Sequence, residues 1–320
     1  MIKIKFHIFL FVLICSVGFI SFIQINSPAY LENLQEEKSA SSVLIIDGVH
    51  NHDWITTTKY LREILSKSGK FKVTVSTSPE RNAPEGDWEK WNPDFSLYDA
   101  IIMNFNGGHL KDSRHWPVTL QKRFERYVDN GGGVVIVHAA NNSFPNWPAY
   151  NEMIGLGWRN RDFGQGLIIN EEDEVVVIPK GEGDNPGHGP DHDFQITVRN
   201  IDHPITNGLP GKWLHPYEQL THGQHGPIGN MTVLSYAWSK DSHKNEPMEW
   251  VSHYGKGRIF TTMLGHQWHD QDDINLKCVG FQTMLIRGAE WAATGKVTYP
   301  VPDNFPSATT MSTQDIPENK

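Results

Sequence analysis

The sequence predicts an α/β protein with a doubly wound, mainly parallel sheet, to which the C-terminal half adds antiparallel strands. Short, wholly apolar runs at residues 43–46, followed by Asp47, and at 133–137 indicate strands that are buried on both faces. These runs alternate with segments of helical periodicity, as parallel βαβ units require. Polar residues follow directly after the apolar runs, where ligands bind in such sheets.

The first half of the chain supplies the parallel part of this sheet. The predicted strands cover residues 43–47, 71–76, 98–105 and 133–137, and the predicted helices cover residues 54–68 and 119–130. The carboxyl ends of parallel strands meet at one edge of a sheet. We therefore expect the polar segments 47–53, 104–109 and 138–142 to lie close together.

The second half has a different pattern. Residues 168–178 contain an acidic turn between two apolar runs, and residues 194–198 alternate, so both indicate antiparallel strands. Residues 248–254 and 258–264 predict a hairpin closed by Gly255-Lys256-Gly257. A long helix is predicted from 273 to 294, and the Pro-rich segment 299–320, which lacks a core pattern, is predicted to be a flexible tail.

The N-terminal 27 residues are similar to an export signal. They contain Lys3 and Lys5, no acidic residue, and an apolar stretch from 8 to 23. This stretch is long for a signal peptide and short for a membrane span, so a cleaved signal and an uncleaved anchor both remain open. Polar residues 28–42 then form a linker to the main domain, residues 43–298. We expect a periplasmic or cell-envelope protein that touches the membrane only through this segment.

The composition limits the chemistry. The chain has 28 Lys and Arg against 37 Asp and Glu, a formal charge of −9, which repels phosphate backbones and disfavours nucleic acid as a partner. With 16 His and only 2 Cys, acid/base or metal chemistry would use imidazole and carboxylate groups. Only Cys278 follows the N-terminal segment, so the main domain has no internal disulfide.

Candidate site residues occur first at the predicted strand ends. His52, Asp53 and Trp54 follow the first strand, and Asp53 also suits the N-cap of the next helix. His138 ends the strand 133–137, at a junction where several hydrolases and amidotransferases present a Ser or Cys nucleophile. The alternative for His138 is an imidazole bonded to the local backbone. Asn104 and Asn141 lie at strand ends and are predicted to bind substrate.

Two further segments carry histidines. His188 and His192 have the spacing of zinc ligands on a helix, but Gly189 and Pro190 between them predict a rigid loop. In such a loop the two histidines and Asp191 are suited to binding a polyol. In residues 213–222, Glu218 lies between two histidines and close to two aromatic residues. Carbohydrate sites combine stacking rings with a carboxylate in this way, and the alternative is a helix surface of incidental polarity. His266 follows Gly265 at the end of the predicted hairpin.

Several motifs occur in order between residues 43 and 296. They are His52-Asp53-Trp54, Gly131-Gly132-Gly133 with His138-Ala139-Ala140, Gly187-His188-Gly189 with His192, His203-Pro204-Ile205, Glu218-Gln219-Leu220, Glu246-Pro247-Met248 with Tyr254-Gly255-Lys256-Gly257-Arg258, and Leu264-Gly265-His266. Together they resemble the ThuA-like (trehalose utilisation) proteins of the class I glutamine amidotransferase-like superfamily. The resemblance implies a flavodoxin-like sheet and a role in sugar catabolism, often with 3-keto-glucosides.

The resemblance also disfavours glutamine hydrolysis. Members of this family lack the amidotransferase cysteine at the strand-to-turn elbow, and this chain has His138 there. The remaining cysteine, Cys278, lies within the predicted C-terminal helix, where an inert buried thiol is expected.

We therefore predict a carbohydrate enzyme of hydrolase, lyase or isomerase type that acts on a sugar or 3-keto-glycoside. The predicted catalytic residues are His138, His188 and Glu218. The predicted substrate-binding residues are His52, Asp53, Trp54, Asn104, Asn141, His192, His222 and His266. A divalent metal, zinc or similar, would be held by His138, His188 and His266, although metal-free acid/base chemistry remains open. The alternative function is a non-catalytic sugar-binding accessory protein of a polysaccharide-utilisation system.

Overall fold

A mixed sheet of twelve strands and a separate two-stranded sheet run through residues 40–108 and 113–316, the part of the chain that the computed structural model describes. The predicted export segment and all but the last residues of the predicted linker lie outside this part. The strands are β1 (Ser41–Asp47), β2 (Phe71–Thr77), β3 (Ala100–Met103), β4 (Gly133–Val137), β5 (Gln165–Ile169), β6 (Val175–Ile178), β7 (Gly187–His188), β8 (His192–Val198), β9 (Lys212–Glu218), β10 (Thr221–His222), β11 (His225–Gly226), β12 (Thr232–Ser239), β13 (Lys244–Tyr254) and β14 (Gly257–Thr262).

Six α-helices accompany these strands in the described residues. They are α1 (Trp54–Lys67), α2 (Glu85–Lys90), α3 (Val118–Asp129), α4 (Pro148–Ile154), α5 (Ile274–Lys277) and α6 (Val279–Thr294). None of the helices in this part of the chain is both long and apolar enough to cross a membrane.

The parallel part of the large sheet has the strand order β2-β1-β3-β4-β14. This order is that of a flavodoxin-like sheet, and it confirms the predicted fold class. Both faces are covered, because Val135 and Val137 of β4 pack in one core with α1 and α6, whereas Val134 and Ile136 pack in the other with α3 and α4. The wholly apolar sequence of the central strands follows from this double burial.

Antiparallel strands extend the sheet beyond β14, as predicted. β13 pairs with both β14 and β12, and β8 and β9 complete the row, while β5, β6 and β11 branch from β13. The predicted hairpin is β13–β14, and the predicted acidic turn joins β5 to β6. The small sheet pairs β7 with β10 and lies apart from this row.

One prediction of secondary structure is wrong, and one alternative does not apply. Residues 273–294 do not form one helix, because Cys278 adopts an extended conformation (φ −58°, ψ 122°) that separates α5 from α6. Residues 213–222 form β9 and β10 rather than a helix surface. In β9 the buried residues are Trp213, His215, Pro216 and Glu218, so the alternation breaks at Pro216, just before Tyr217, whose φ is +37°. This irregularity hides the period of two.

The C-terminal segment also differs from its prediction. Residues 301–316 are held against the domain rather than loose, because main-chain hydrogen bonds need no apolar pattern. Ser307 accepts a hydrogen bond from the backbone N–H of Leu214 (2.8 Å) on the edge strand β9, and Ser312 accepts one from Val279 (2.9 Å). Phe305 packs edge-on to Trp213 with ring centroids 5.8 Å apart. The tail therefore covers a sheet edge that would otherwise be open.

A truncation tests the contribution of this tail. Ending the chain after Pro300 should lower the free energy of unfolding by roughly 3 kcal/mol, because several hydrogen bonds and the Phe305 contact are lost together. Urea titration of the full chain, of this truncation and of a control that ends after Ile316 measures the difference. Equal stability of all three proteins would show that the tail contributes nothing.

Candidate functional site

Three histidines meet at the carboxyl edge of the parallel strands. His52 follows β1, His138 follows β4 and His266 follows β14. Their ring centroids form a nearly equilateral triangle, 5.0 Å from His52 to His138, 4.9 Å from His52 to His266 and 5.1 Å from His138 to His266. One ring nitrogen of each lies within 4.8 Å of the others, and all three side chains are buried. We call these residues the histidine cluster.

Local backbone geometry directs two of the three side chains into the cluster. His138 has a φ of +44°, a left-handed conformation that a non-glycine residue rarely adopts, directly after the extended Val137. The predicted strand-to-turn elbow is therefore present and carries an imidazole. His52 precedes Asp53, whose carboxylate accepts a hydrogen bond from the backbone N–H of Thr56 (3.1 Å) and caps α1.

The backbone of His266 is held from both sides. Its N–H donates to Oε1 of Glu218 (2.8 Å), and its carbonyl accepts a hydrogen bond from Nδ2 of Asn275 (2.6 Å). Gly265 before it has a φ of +103°, and a Cβ there would lie 3.2 Å from Val137 and 3.3 Å from Phe281. Glycine is therefore required for the chain to deliver His266 to the cluster.

Hydrogen bonding assigns the protons on two of the rings. Nδ1 of His138 lies 2.7 Å from the carbonyl oxygen of Met263, which can only accept, so His138 carries its proton on Nδ1. Nδ1 of His50 accepts the backbone N–H of His52 (3.0 Å), so Nδ1 of His52, 3.3 Å away, is the donor between these rings. His52 and His138 therefore both keep a lone pair on Nε2. Neither ring nitrogen of His266 has a hydrogen-bond partner, although both are buried.

Burial keeps the cluster uncharged. It is the main cause that lowers the pKa of His266 to about 2, and the neighbouring His138 lowers that pKa further. Burial also lowers the pKa values of His52 and His138. At neutral pH the cluster thus consists of three neutral imidazoles whose lone pairs are available to a metal ion.

A cavity of about 120 Å³ opens beside the cluster. Its lining residues are Asn51, His52, His138, Ala139, Asn142, Trp158, His188, Gln219, Thr221, Met263 and Trp268. Trp268 stacks on His52 at a centroid distance of 4.4 Å and an interplanar angle of 21°, and 37% of its surface is exposed. His188 and Thr221 reach the cavity from the paired strands β7 and β10, so the small sheet forms its second wall. A larger depression of about 550 Å³, around Asp99 and Gly132, has no histidine in its lining.

The structure changes the predicted metal set. Among the described residues, the group that could hold an ion consists of His52, His138 and His266. His52 thus takes the place of the predicted His188. His188 is exposed, and its Nδ1 lies 3.0 Å from the carbonyl oxygen of Gly189. The predicted spacing to His192 has no role in the cluster, because the two residues lie on different strands, β7 and β8.

Several predicted substrate-binding residues support the site without lining the cavity. Asp53 caps α1. The backbone carbonyl of Trp54 accepts a hydrogen bond from Asn104 (3.2 Å). Asn141 donates to the side-chain oxygen of Gln224 (2.5 Å), while its neighbour Asn142 faces the cavity. His192 and His222 also lie outside the lining: Nδ1 of His192 is 3.0 Å from the carbonyl oxygen of Pro190, and His222 pairs with Gly187 in the small sheet.

Glu218 is not placed for the predicted catalytic role. It is fully buried, and its oxygens contact the backbone N–H of His266 and Nε2 of His215 (2.5 Å). Burial acts to lower the pKa of His215, but Cys278 and Glu218 outweigh it and raise that pKa to about 10. His215 and Glu218 therefore form a buried ion pair at neutral pH. Glu218 is a positioning residue for His266.

Some residues of the site were absent from the sequence predictions. His50 orients His52, and Trp158 and Trp268 line the cavity. His50 and Trp268 could have been found, since each lies two residues from a predicted histidine. Trp158 had no such signal, because it follows α4 at a distance in sequence from every predicted site residue.

Comparisons with known proteins agree with this architecture. The family model described as ThuA, trehalose utilisation, matches residues 42–292. A ThuA-like protein from Parabacteroides merdae ATCC 43184 has a solved structure that is 38% identical, covers 88% of this chain and 100% of its own, and superposes with a TM-score of 0.80. One from Bacteroides uniformis ATCC 8492 is 20% identical, covers 81% and 94%, and has a TM-score of 0.50. No curated protein matches the chain.

A buried carboxyl behind the site supplies a test by pH. Burial raises the pKa of Glu249 from 4.5 to about 7, although the Ser235 hydroxyl donates to it (2.7 Å). The folded protein keeps this proton up to about pH 7, whereas the unfolded chain loses it near pH 4.5. The stability that this group contributes is therefore present below pH 4.5 and is lost as the pH rises to 7, by about 3 kcal/mol.

Glu249→Gln should abolish this part of the pH dependence. Urea unfolding of the wild type and the variant from pH 5 to pH 8 measures it, with the exposed Glu172→Gln as control. A variant that retains the wild-type slope would refute the assignment.

Proposed function

The chain belongs to the ThuA (trehalose utilisation) family, and from this premise we propose that it is a carbohydrate-processing enzyme with a divalent metal ion on His52, His138 and His266. One observation carries the proposal. Both ring nitrogens of His266 are buried and have no hydrogen-bond partner. The imidazoles of His52 and His138, each with a lone pair, lie beside this ring. A buried polar atom that lacks a partner costs about 1–3 kcal/mol, which a bound ion would recover.

The donor set suits zinc or a similar ion. Neutral imidazole is a common ligand of zinc, copper, iron and nickel. Three protein ligands are the number that catalytic zinc sites use, because a further position must stay open for substrate. When bound, the ion would supply Lewis-acid polarisation of a substrate oxygen.

The residues around the cluster provide the remaining functions of an active site. His188 is exposed at the cavity wall, where its imidazole can move a proton to or from the substrate. Gln219, Thr221 and Asn142 present amide and hydroxyl groups that can bind sugar hydroxyls. Trp158 and Trp268 offer rings against which the apolar face of a sugar can pack.

The size of the cavity favours a substrate that enters with a single ring. A volume of about 120 Å³ equals that of roughly four water molecules. The substrate we propose is a sugar or a 3-keto-glycoside, consistent with the trehalose-utilisation description of the family. A ring carbonyl acidifies the adjacent C–H, so that His188 could remove its proton. The C–H electrons then form a C=C bond as the bond from the next carbon to the glycosidic oxygen breaks, and the aglycone leaves as its protonated alcohol. This product is that of a lyase, later addition of water to the C=C bond gives the product of a hydrolase, and return of the proton without loss of the aglycone gives that of an isomerase.

We also propose an exported protein, in the periplasm or cell envelope, whose contact with a membrane is limited to the N-terminal segment. The support is the basic and then apolar sequence of residues 1–27. The negative formal charge argues against a nucleic-acid partner. Glutamine amidotransfer is not proposed, because the elbow carries His138 and Cys278 is fully buried.

Metal analysis tests the centre of this proposal. Purified wild-type protein should contain one divalent ion per chain, and His52→Ala, His138→Ala and His266→Ala should each lose it, because two imidazoles hold an ion far more weakly than three. Elemental analysis measures the content. His188→Ala and His222→Ala serve as controls that should retain the ion. Loss of metal from His188→Ala alone would instead restore the ligand set expected from the sequence.

Activity is tested on a panel of glycosides and 3-keto-glycosides, with and without added divalent metal. His188→Ala should retain its metal and lower kcat by about 10²–10⁴, the usual contribution of a general acid or base. Calorimetric titration with the same panel accompanies the assay. Binding of a sugar without turnover would favour the alternative, a non-catalytic accessory protein. Absence of turnover under every condition refutes the enzymatic function.

A further inference from the structure

The outer nitrogens of the three cluster rings are not equally supported. Nδ1 of His138 bonds to the carbonyl oxygen of Met263, and Nδ1 of His52 bonds to His50. A histidine that binds a metal through one nitrogen carries its proton on the other, and that proton nearly always has an acceptor. His266 is the member of the cluster whose N–H would have none within hydrogen-bond distance.

A carboxylate lies close to this nitrogen. Oδ1 of Asp191 is 3.9 Å from Nδ1 of His266, and the side chain of Asp191 is 19% exposed. This oxygen is buried and lacks a hydrogen-bond partner of its own. Burial raises the pKa of Asp191, and Glu218 raises it further, while His188 and His192 act in the opposite direction. An unpartnered acceptor thus faces an unpartnered nitrogen.

Other neighbours of His266 are less suited to this role. Glu218 already accepts the backbone N–H of His266 and contacts His215. The side-chain oxygen of Gln271, which also approaches the imidazole, accepts the backbone N–H of Trp268 (3.1 Å). Oδ1 of Asp191, by contrast, accepts no hydrogen bond at all.

We propose that Asp191 is a positioning residue for the metal centre: it accepts the Nδ1–H of His266 when Nε2 binds the ion. The inference rests on the metal site proposed above. Closing the distance from 3.9 Å to about 2.8 Å requires a shift of roughly 1 Å. Asp191 lies between β7 and β8, three residues from His188. The same segment thus carries both the proposed partner of His266 and the exposed His188 that lines the cavity.

Titration of the metal-free protein with Co²⁺ tests this role, because the visible absorption of cobalt reports both affinity and coordination geometry. Asp191→Ala should weaken Co²⁺ binding by about 10–100-fold, the usual effect of losing an outer partner of a metal-binding histidine. Asp191→Asn, which keeps a neutral acceptor, should give a smaller loss. Asp193→Ala is the matched control, since that carboxylate bonds instead to the backbone N–H of Tyr217 (2.9 Å) and should leave the affinity unchanged.

A purely structural role of Asp191 would not alter the spectrum of the saturated site. We expect the cobalt absorption bands of Asp191→Ala at saturation to differ from those of the wild type, because a freely turning imidazole changes the ligand field. Wild-type affinity and an unchanged spectrum in Asp191→Ala would overturn the proposal. So would a loss confined to Gln271→Ala. If the wild type itself binds no Co²⁺, or His266→Ala binds as well as the wild type, the proposed metal site fails first.

Discussion

The convergence of three buried, neutral imidazoles at one edge of the parallel sheet is the constraint on which the rest of the site depends. Burial lowers the pKa of each ring, so each imidazole stays neutral and keeps a lone pair. Two residues with positive φ angles bring the histidines into this arrangement. His138 has a φ of +44°, and Gly265 has a φ of +103°. Strain of this kind persists only where the surrounding structure over-determines it, and it is concentrated at functional sites.

The polar interior behind the cluster explains how this geometry is maintained. The buried ion pair of His215 and Glu218 contributes little to net stability by itself, since desolvation offsets most of its attraction. The pair fixes the position of the Glu218 carboxylate, which also accepts the backbone N–H of His266 (2.8 Å). Asn275 holds the carbonyl of the same residue at 2.6 Å. Glu218, which the sequence predicts to be catalytic, thus holds the backbone of His266 and does not line the cavity.

The predicted and observed structures agree where burial is uniform and differ where it is not. Residues 43–46 of β1 and all of β4 are apolar because both faces of these strands are covered, and such runs are readily found from sequence. β9 has one irregular turn at Tyr217, and its alternation is lost. The C-terminal tail has no apolar period, because it is held by main-chain groups that every residue possesses. At Cys278, where α5 and α6 are separated, the backbone N–H of Val279 donates to the carbonyl oxygen of Ser312, a residue distant in sequence.

For the site, the sequence is sufficient to predict which residue types lie at the strand ends. His52, His138 and His266 are all identified there, because a histidine at or shortly after the end of an apolar run is a local signal. The three-dimensional fold alone shows that these three residues form the cluster and that His188 lies outside it. It also shows that Glu218 accepts the backbone N–H of His266 instead of lining the cavity. The physical reason is that strand order and register set these distances. β3 lies between β1 and β4, through the pairs Val43–Ala100 and Ala100–Gly133, and β14 pairs with β4 through Arg258 and Gly133, 125 positions apart. No local pattern records these pairings.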